Sequence, residues 1–304
     1  MNRVLITGAS GLLGQYLVKQ LIFEKPDNKT PDILAIDLAA NPFENSGRLS
    51  YHQLDLTGFS SVRAIIYDFK PDYIFNCAAY NNVDDCEVNY KLADDLNTGI
   101  VENLLSCSFN KLIHFSSDYI FSGQNGPYSE LAIPDPINYY GYTKLQSEKI
   151  LQASKKNYLV IRTNVLYGDG INLRHNFITW LIDSLRTDKE INVVTDQFNN
   201  PTHAGNLAGA AIEAAKMDYF KVLNIAGADY LSRYDIAIKT AEHFKLDANL
   251  IKPIKTAMLG QIAERPHKGG FNIDKAKKIL KTRLIGLPEG LEMMRDYFER
   301  RGFR

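Results

Sequence analysis

Apolar residues fall along the chain in two alternating patterns. Short unbroken runs, at Arg3–Thr7, Ile33–Ile36, Tyr73–Cys77, Lys111–Phe115 and Tyr158–Val165, have the length and composition of strands buried on both faces. Between them apolar residues return every three or four positions. This holds for Leu12, Leu13, Tyr16, Leu17, Leu21 and Ile22, over Ser60–Phe69, from Lys91 to about Ser106, and in the stretch ending at Ser154. That spacing predicts helices with one buried face. A further strand, third in order, is expected to end at Leu54–Leu56, and the polar Glu24–Asp32 reads as a surface loop. Such alternation means parallel strands with helices on both faces, an α/β fold.

Past Tyr167 the pattern changes. Gly168 and Gly170 mark a loop, Phe177–Leu185 a helix, Ile191–Val194 a short strand and Asp196–Thr202 a polar turn. Helix Ala204–Ala215 and strand Val222–Ala226 read as a return to the main sheet. Ser232–Phe244 and Asp274–Leu280 are amphipathic helices with no strand expected between them. The chain thus divides into a unit over 1–166, completed by about 203–228, and a smaller α/β lobe from 167–202 and 229–304.

Bulk numbers narrow the partners. Acidic and basic residues balance at 35 each over 304 residues, with no block of like charge, which argues against nucleic acid or an anionic membrane. No apolar run approaches the ~18 residues of a membrane span, and Met1–Ala9 reads as a strand, not a signal peptide. Cys77, Cys86 and Cys107 form no CxxC pair and have no histidine at metal spacing. They predict reduced thiols, a cytoplasmic protein and no metal.

Chemistry enters at the first strand-to-helix turn, where glycines stand at 8, 11 and 14. Gly8 permits the tight turn, Gly11 a close approach of backbone N–H groups to a pyrophosphate, and Gly14 tight packing of helix on sheet. The anion then sits on the helix N-terminus. With Ser10, Leu12 and Leu13 these residues are the cofactor-binding candidates of a Rossmann-type doubly wound parallel sheet, and the smaller C-terminal lobe is the candidate substrate-binding lobe. Asp37 closes the second strand, 23 residues beyond Gly14. A carboxylate there accepts from ribose hydroxyls and repels a 2′-phosphate, which favours NADH, with NADPH left open. Its plain alternative is a loop or capping aspartate. Asp55 and Leu56 fall near the adenine, and the small Cys77, Ala78 and Ala79 leave room for backbone to pass a ligand. Tyr80 faces cofactor or substrate, or simply packs. Asn97, grouped with the cofactor residues, reads equally as a satisfied core amide.

Ser117 follows the apolar run Leu112–Phe115, and Tyr140 and Lys144 lie four apart at the head of a helical pattern. Residues so spaced share a helix face. A phenol beside an ammonium, with a hydroxyl from a neighbouring strand, is equipment for reducing a ketone or oxidising an alcohol. Tyr-x-x-x-Lys alone is common by chance; the upstream glycine turn and the intervening Ser117 give it weight. His203, after Pro201 and Thr202, reads as a capping or core residue and Trp180 as core.

The motifs TGASGLLG (Thr7–Gly14), NCAA (Asn76–Ala79) and YGYTK (Tyr140–Lys144) resemble the extended short-chain dehydrogenase/reductase family. Within it, Ser117–Phe121 with Gly123, Asp196–Thr202 and Arg265-Pro266 resemble the dTDP-4-dehydrorhamnose reductase branch. The resemblance implies Ser117 polarising a carbonyl, Tyr140 donating a proton, and Lys144 holding the nicotinamide ribose and lowering the tyrosine's pKa. It implies a nucleotide-linked 6-deoxy-4-keto sugar as substrate, with Tyr80, Asp118, Tyr119, Asn164 and Val165 lining it, and leaves a homodimer open. Val165 replaces an aromatic often found there, and Tyr16 stands where some members place a metal-binding glutamate. Tyr119, where sister 4,6-dehydratases need a glutamate, argues against that chemistry. A sugar-nucleotide 4-epimerase and a non-catalytic regulator of the methionine adenosyltransferase β type are the alternatives.

Overall fold

The apolar runs become neighbours in one parallel sheet, seen in a computed structural model that describes residues 1–22, 30–44, 46–218 and 221–295. Its strands are β1 (Arg3–Thr7), β2 (Asp32–Asp37), β3 (Leu49–Gln53), β4 (Tyr73–Asn76), β5 (Lys111–Ser117), β6 (Tyr158–Thr163) and an edge strand, Val222–Asn224. They lie in the order Val222–Asn224, β6, β5, β4, β1, β2, β3. The runs are unbroken because successive side chains enter different cores. Val4 and Ile6 point to one side, with Leu17, Leu21, Leu207 and Ala211, while Leu5 points to the other, with Val62, Ile66 and Leu104. Each such aliphatic side chain contributes about 1.5–3 kcal/mol by burial. The first core includes the alanine-rich helix Ala204–Ala215, whose small side chains let it lie against the Leu12–Ile22 helix.

A smaller body stands beside the sheet. Strands Ile191–Val194 and Ile251–Ile254 pair in parallel, covered by helices Phe177–Arg186 and Arg233–His243. Leu287–Met293 packs against Tyr167, Ile178 and Ile236. Among the described residues no helix is long and apolar enough to cross a membrane.

Four expectations are corrected. β3 ends at Gln53, before Leu54–Leu56: the Leu54 N–H makes the last ladder bond, to the Asp37 carbonyl (2.8 Å), and Asp55 then turns to cap Thr57. β6 ends at Thr163, since Val165 is in the left-handed region (φ 44°), which no strand continues through. The strand Ile251–Ile254 stands where none was expected; exposed Lys252 and Pro253 break its apolar pattern. The helix from Lys91 is one run from Tyr90 to Leu105 whose middle, Asp95–Gly99, widens to a π turn. Most of the Glu24–Asp32 loop, residues 24–29, and the last nine residues of the second lobe lie outside the described residues.

Candidate functional site

The sheet order reverses its direction of growth between β1 and β4, which opens a crevice at their carboxyl ends. Gly8 lines it at φ +65°, and a β-carbon there would stand 2.6 Å from the Ala78 nitrogen. The turn therefore fits against β4 only as glycine. Beyond it, the first-turn N–H groups of the Leu12–Ile22 helix have no partner within the helix, so an anion can take them. Asp37 sits at the mouth of the turn, accepting from Ser10 N–H (2.9 Å) and Ala39 N–H (3.0 Å). Tyr51 stands beside it, its phenol raised to about 12 by burial and by the Asp37 charge. No lysine or arginine occurs between Asp37 and Gly47, and Arg48 turns away to the Thr30 carbonyl (2.6 Å). These residues fit a dinucleotide with free ribose hydroxyls. Asp55 is exposed and holds Thr57, while the Leu56 side chain goes into the core, leaving only its backbone for a ligand.

After β4 the chain runs through Cys77, Ala78 and Ala79 to Tyr80, whose hydroxyl donates to Asp85. Asn97, 1% exposed in the π turn, accepts from Tyr80 N–H (2.8 Å). Its NH2 group donates to the Tyr80 carbonyl (3.1 Å) and to Thr143 Oγ1 (2.9 Å). Both ends of the amide are engaged by protein. Asn97 thus braces the loop that lines the crevice and does not offer itself to a cofactor. The widened turn is what brings a helix residue to that loop.

Ser117 ends β5 and caps the short turn Asp118–Ile120, accepting from Tyr119 N–H (3.2 Å). The helix Tyr139–Ala153 comes against that turn so closely that a β-carbon on Gly141 would overlap the Tyr119 carbonyl. This contact sets Tyr140 beside Ser117. Asn138 caps the helix by accepting from Gly141 N–H (2.8 Å), and its own NH2 reaches the Glu264 carbonyl (2.8 Å). Burial pushes the Tyr140 phenol up and the Ser117 hydroxyl pulls it back, so the phenol holds its proton at neutral pH. Tyr119 meets it edge-on, ring centres 5.6 Å apart. Lys144 is 2% exposed. Burial lowers its amine to about 8, opposed by Glu148 and Cys77. Its Nζ lies 3.3 Å from His114 Nε2.

The remaining predicted residues lie where the two bodies meet. Asp118 is buried, accepting from Asn164 NH2 (2.8 Å) and Gly270 N–H (3.0 Å), and burial raises its carboxyl. It therefore ties the second body to the end of β5. The Asn164 side-chain oxygen has no partner among the described residues, and Val165 beside it is in a strained backbone region for a branched residue. Tyr16 donates to Asp169 (2.6 Å). Two arginines were given no role in the sequence reading. Arg265 is held by Asp84 through two 2.9 Å contacts, and Arg233 stands over the Phe177 ring (5.0 Å) facing Tyr119 and Asp118. Arg265-Pro266 was visible as a motif without a role, and Arg233 left no local signal. Next to them opens a groove of about 760 Å³ lined by Gln124, Asp196, Thr256, Gln261, Arg265 and His267.

Known proteins are similar to this chain over nearly its whole length. The family model described as RmlD substrate binding domain matches residues 1–299. A dTDP-4-dehydrorhamnose reductase of Aggregatibacter actinomycetemcomitans is 29% identical, over 98% of this chain and all of its own. Methionine adenosyltransferase 2 subunit beta of Mus musculus is 31% identical, over 91% of this chain and 82% of its own. The crystal structure of dTDP-4-dehydrorhamnose reductase from Bacillus anthracis in complex with NADP superposes at a TM-score of 0.84. It is 27% identical and covers 98% of this chain and 100% of its own.

Proposed function

Because the chain belongs to the RmlD substrate binding domain family, we propose that it reduces the C4 ketone of a nucleotide-linked 6-deoxy-4-keto sugar. The observation that carries this is the protonated Tyr140 phenol set against Ser117 at the crevice where Gly8 admits a dinucleotide. The reduced nicotinamide, when bound, supplies the hydride. Ser117 donates a hydrogen bond to the ketone oxygen and orients it. Tyr140 gives that oxygen its proton as negative charge builds there, completing the alcohol. Donors already in place at that oxygen contribute most to such catalysis. Lys144, charged below about pH 8, lies one helical turn from Tyr140 and holds the nicotinamide ribose. Asp37, with no cation beside it, selects NADH over NADPH. Arg233 and the adjoining groove take the diphosphate and base.

The test is oxidation of NADH, with NADPH in parallel, on adding dTDP-4-dehydrorhamnose. Turnover that collapses in Tyr140→Phe supports both the reaction and the proton donor. Absence of turnover in protein that still binds NADH sinks the rhamnose assignment and sends the search to another keto-sugar nucleotide or to a protein partner. A second reading then stands on the 31% identity to the β subunit: a dinucleotide-binding regulator, recognised by co-purification with a methionine adenosyltransferase catalytic subunit.

A further inference from the structure

Thr7, Asn76 and His114 lie side by side on three neighbouring strands, in register across β1, β4 and β5. All three are buried, on the sheet face that is otherwise the apolar core of Leu5, Ile74 and Leu112. They form one hydrogen-bonded row. Thr7 Oγ1 lies 2.7 Å from Asn76 Oδ1, Asn76 Nδ2 lies 3.1 Å from His114 Nδ1, and the row ends at Lys144, 3.3 Å from His114 Nε2. A polar row inside such a core costs stability unless every group is paired. The reaction as described uses none of the three.

Proton counting shows what the row does. An ammonium has only protons to give, so beside a charged Lys144 the Nε2 atom must accept and Nδ1 must carry the ring proton. With the Asn76 amide turned over, so that its oxygen and NH2 exchange places, Nδ1 then donates to the amide oxygen and the NH2 donates to Thr7; unturned, the row runs from Thr7 through Asn76 to an accepting Nδ1, the arrangement that suits a neutral amine. If Lys144 is neutral, every bond in the row can reverse. His114 stays neutral in both cases, since burial and the Lys144 charge push its proton affinity well down. The bond from an ammonium is charge-assisted and stronger than its neutral counterpart, so the row favours the charged amine. Other groups also face Lys144. Glu148 lies on its own helix, bound to Arg162 at 2.7 and 3.1 Å; Cys77 follows β4; Tyr140 lies one turn back.

We propose that His114 is a positioning residue, which Thr7 and Asn76 orient so that it fixes the Lys144 amine and keeps it protonated at working pH. This rests on the reading of Lys144 as the residue that holds the cofactor's ribose. The test follows the amine itself, in the free protein. The Lys144 side chain is titrated by NMR in protein carrying 13C-lysine, its signal assigned by loss in Lys144→Arg. In His114→Leu the midpoint should fall by about one pH unit or more, the loss of a charge-assisted bond. In His114→Gln, whose amide oxygen can accept, most of that fall should be recovered. If His114→Leu does not fold, His114→Gln is compared with the shorter His114→Asn, which should titrate lower. An unchanged midpoint in His114→Leu, or equal midpoints in the two amides, overturns the proposal. Turnover measured in parallel keeps the two ideas apart: a shifted midpoint in a protein that reduces no sugar nucleotide sinks the reductase reading and leaves this one standing.

Discussion

Tyr140 and Lys144 share a helix face but do different work, and their pH behaviour separates them. The phenol is held protonated by its surroundings, so Tyr140→Phe should lower turnover about 10²–10⁴-fold while NADH still binds, checked by fluorescence titration. Lys144 loses its proton at about pH 8. Turnover should therefore fall as pH rises through 8, and a rate that stays level to pH 10 would remove Lys144 from the mechanism. The Tyr-x-x-x-Lys spacing, the glycine turn and Asp37 were legible because each is a local pattern tied to a local element. His114 and Arg233 were not. Each acquires meaning only from a strand or helix far away in sequence, and His114 hides in an apolar run that reads as nothing more than a strand.

The helix Tyr139–Ala153 is placed by a missing side chain. Gly141→Ala would put a methyl group on the Tyr119 carbonyl, so the helix must retreat and carry Tyr140 away from Ser117. Turnover should drop at least tenfold, about the effect of a misplacement well under 1 Å. Helicity should stay normal by circular dichroism, since alanine is the better helix former. A fully active Gly141→Ala protein would show that this contact does not set the site. The π turn is tested in the same way. Asn97→Leu leaves the Tyr80 N–H without its acceptor and takes a donor from the Thr143 hydroxyl, costing about 1–3 kcal/mol in urea unfolding. Apolar spacing announced a helix over this stretch and gave its ends nearly correctly. It could not announce the extra residue in the turn, because one additional residue barely disturbs a three-to-four periodicity.

At the scale of the whole molecule, buried histidines set the acid limit. His203 holds the N-cap position of the Ala204–Ala215 helix without a side-chain capping bond; its ring lies in the core between those of Tyr16 and Tyr167 with neither nitrogen bonded among the described residues, and burial lowers it to about 4. An unfolded histidine takes a proton near pH 6.5. Between those values the unfolded chain binds protons that the folded one refuses, so stability falls as pH drops through that window. His203 alone accounts for about 2 kcal/mol at pH 5. The urea midpoint should fall from pH 7.5 to pH 5, and His203→Phe should flatten that fall.

The position of Val222–Asn224 at the sheet margin governs how the protein can be made. Every residue of β6 is buried, and the edge strand that lies along it is synthesised only after the elements of 167–215. A growing chain therefore carries an unpaired, apolar strand edge for much of its time on the ribosome, an invitation to wrong pairing. Cutting the chain at residue 166 would make that interval permanent. Such a fragment should aggregate, whatever its content of cofactor motifs, whereas adding back a segment that ends beyond residue 226 should restore solubility. The sheet is thus completed only by a strand from far along the chain, and its first six strands are not a finished unit.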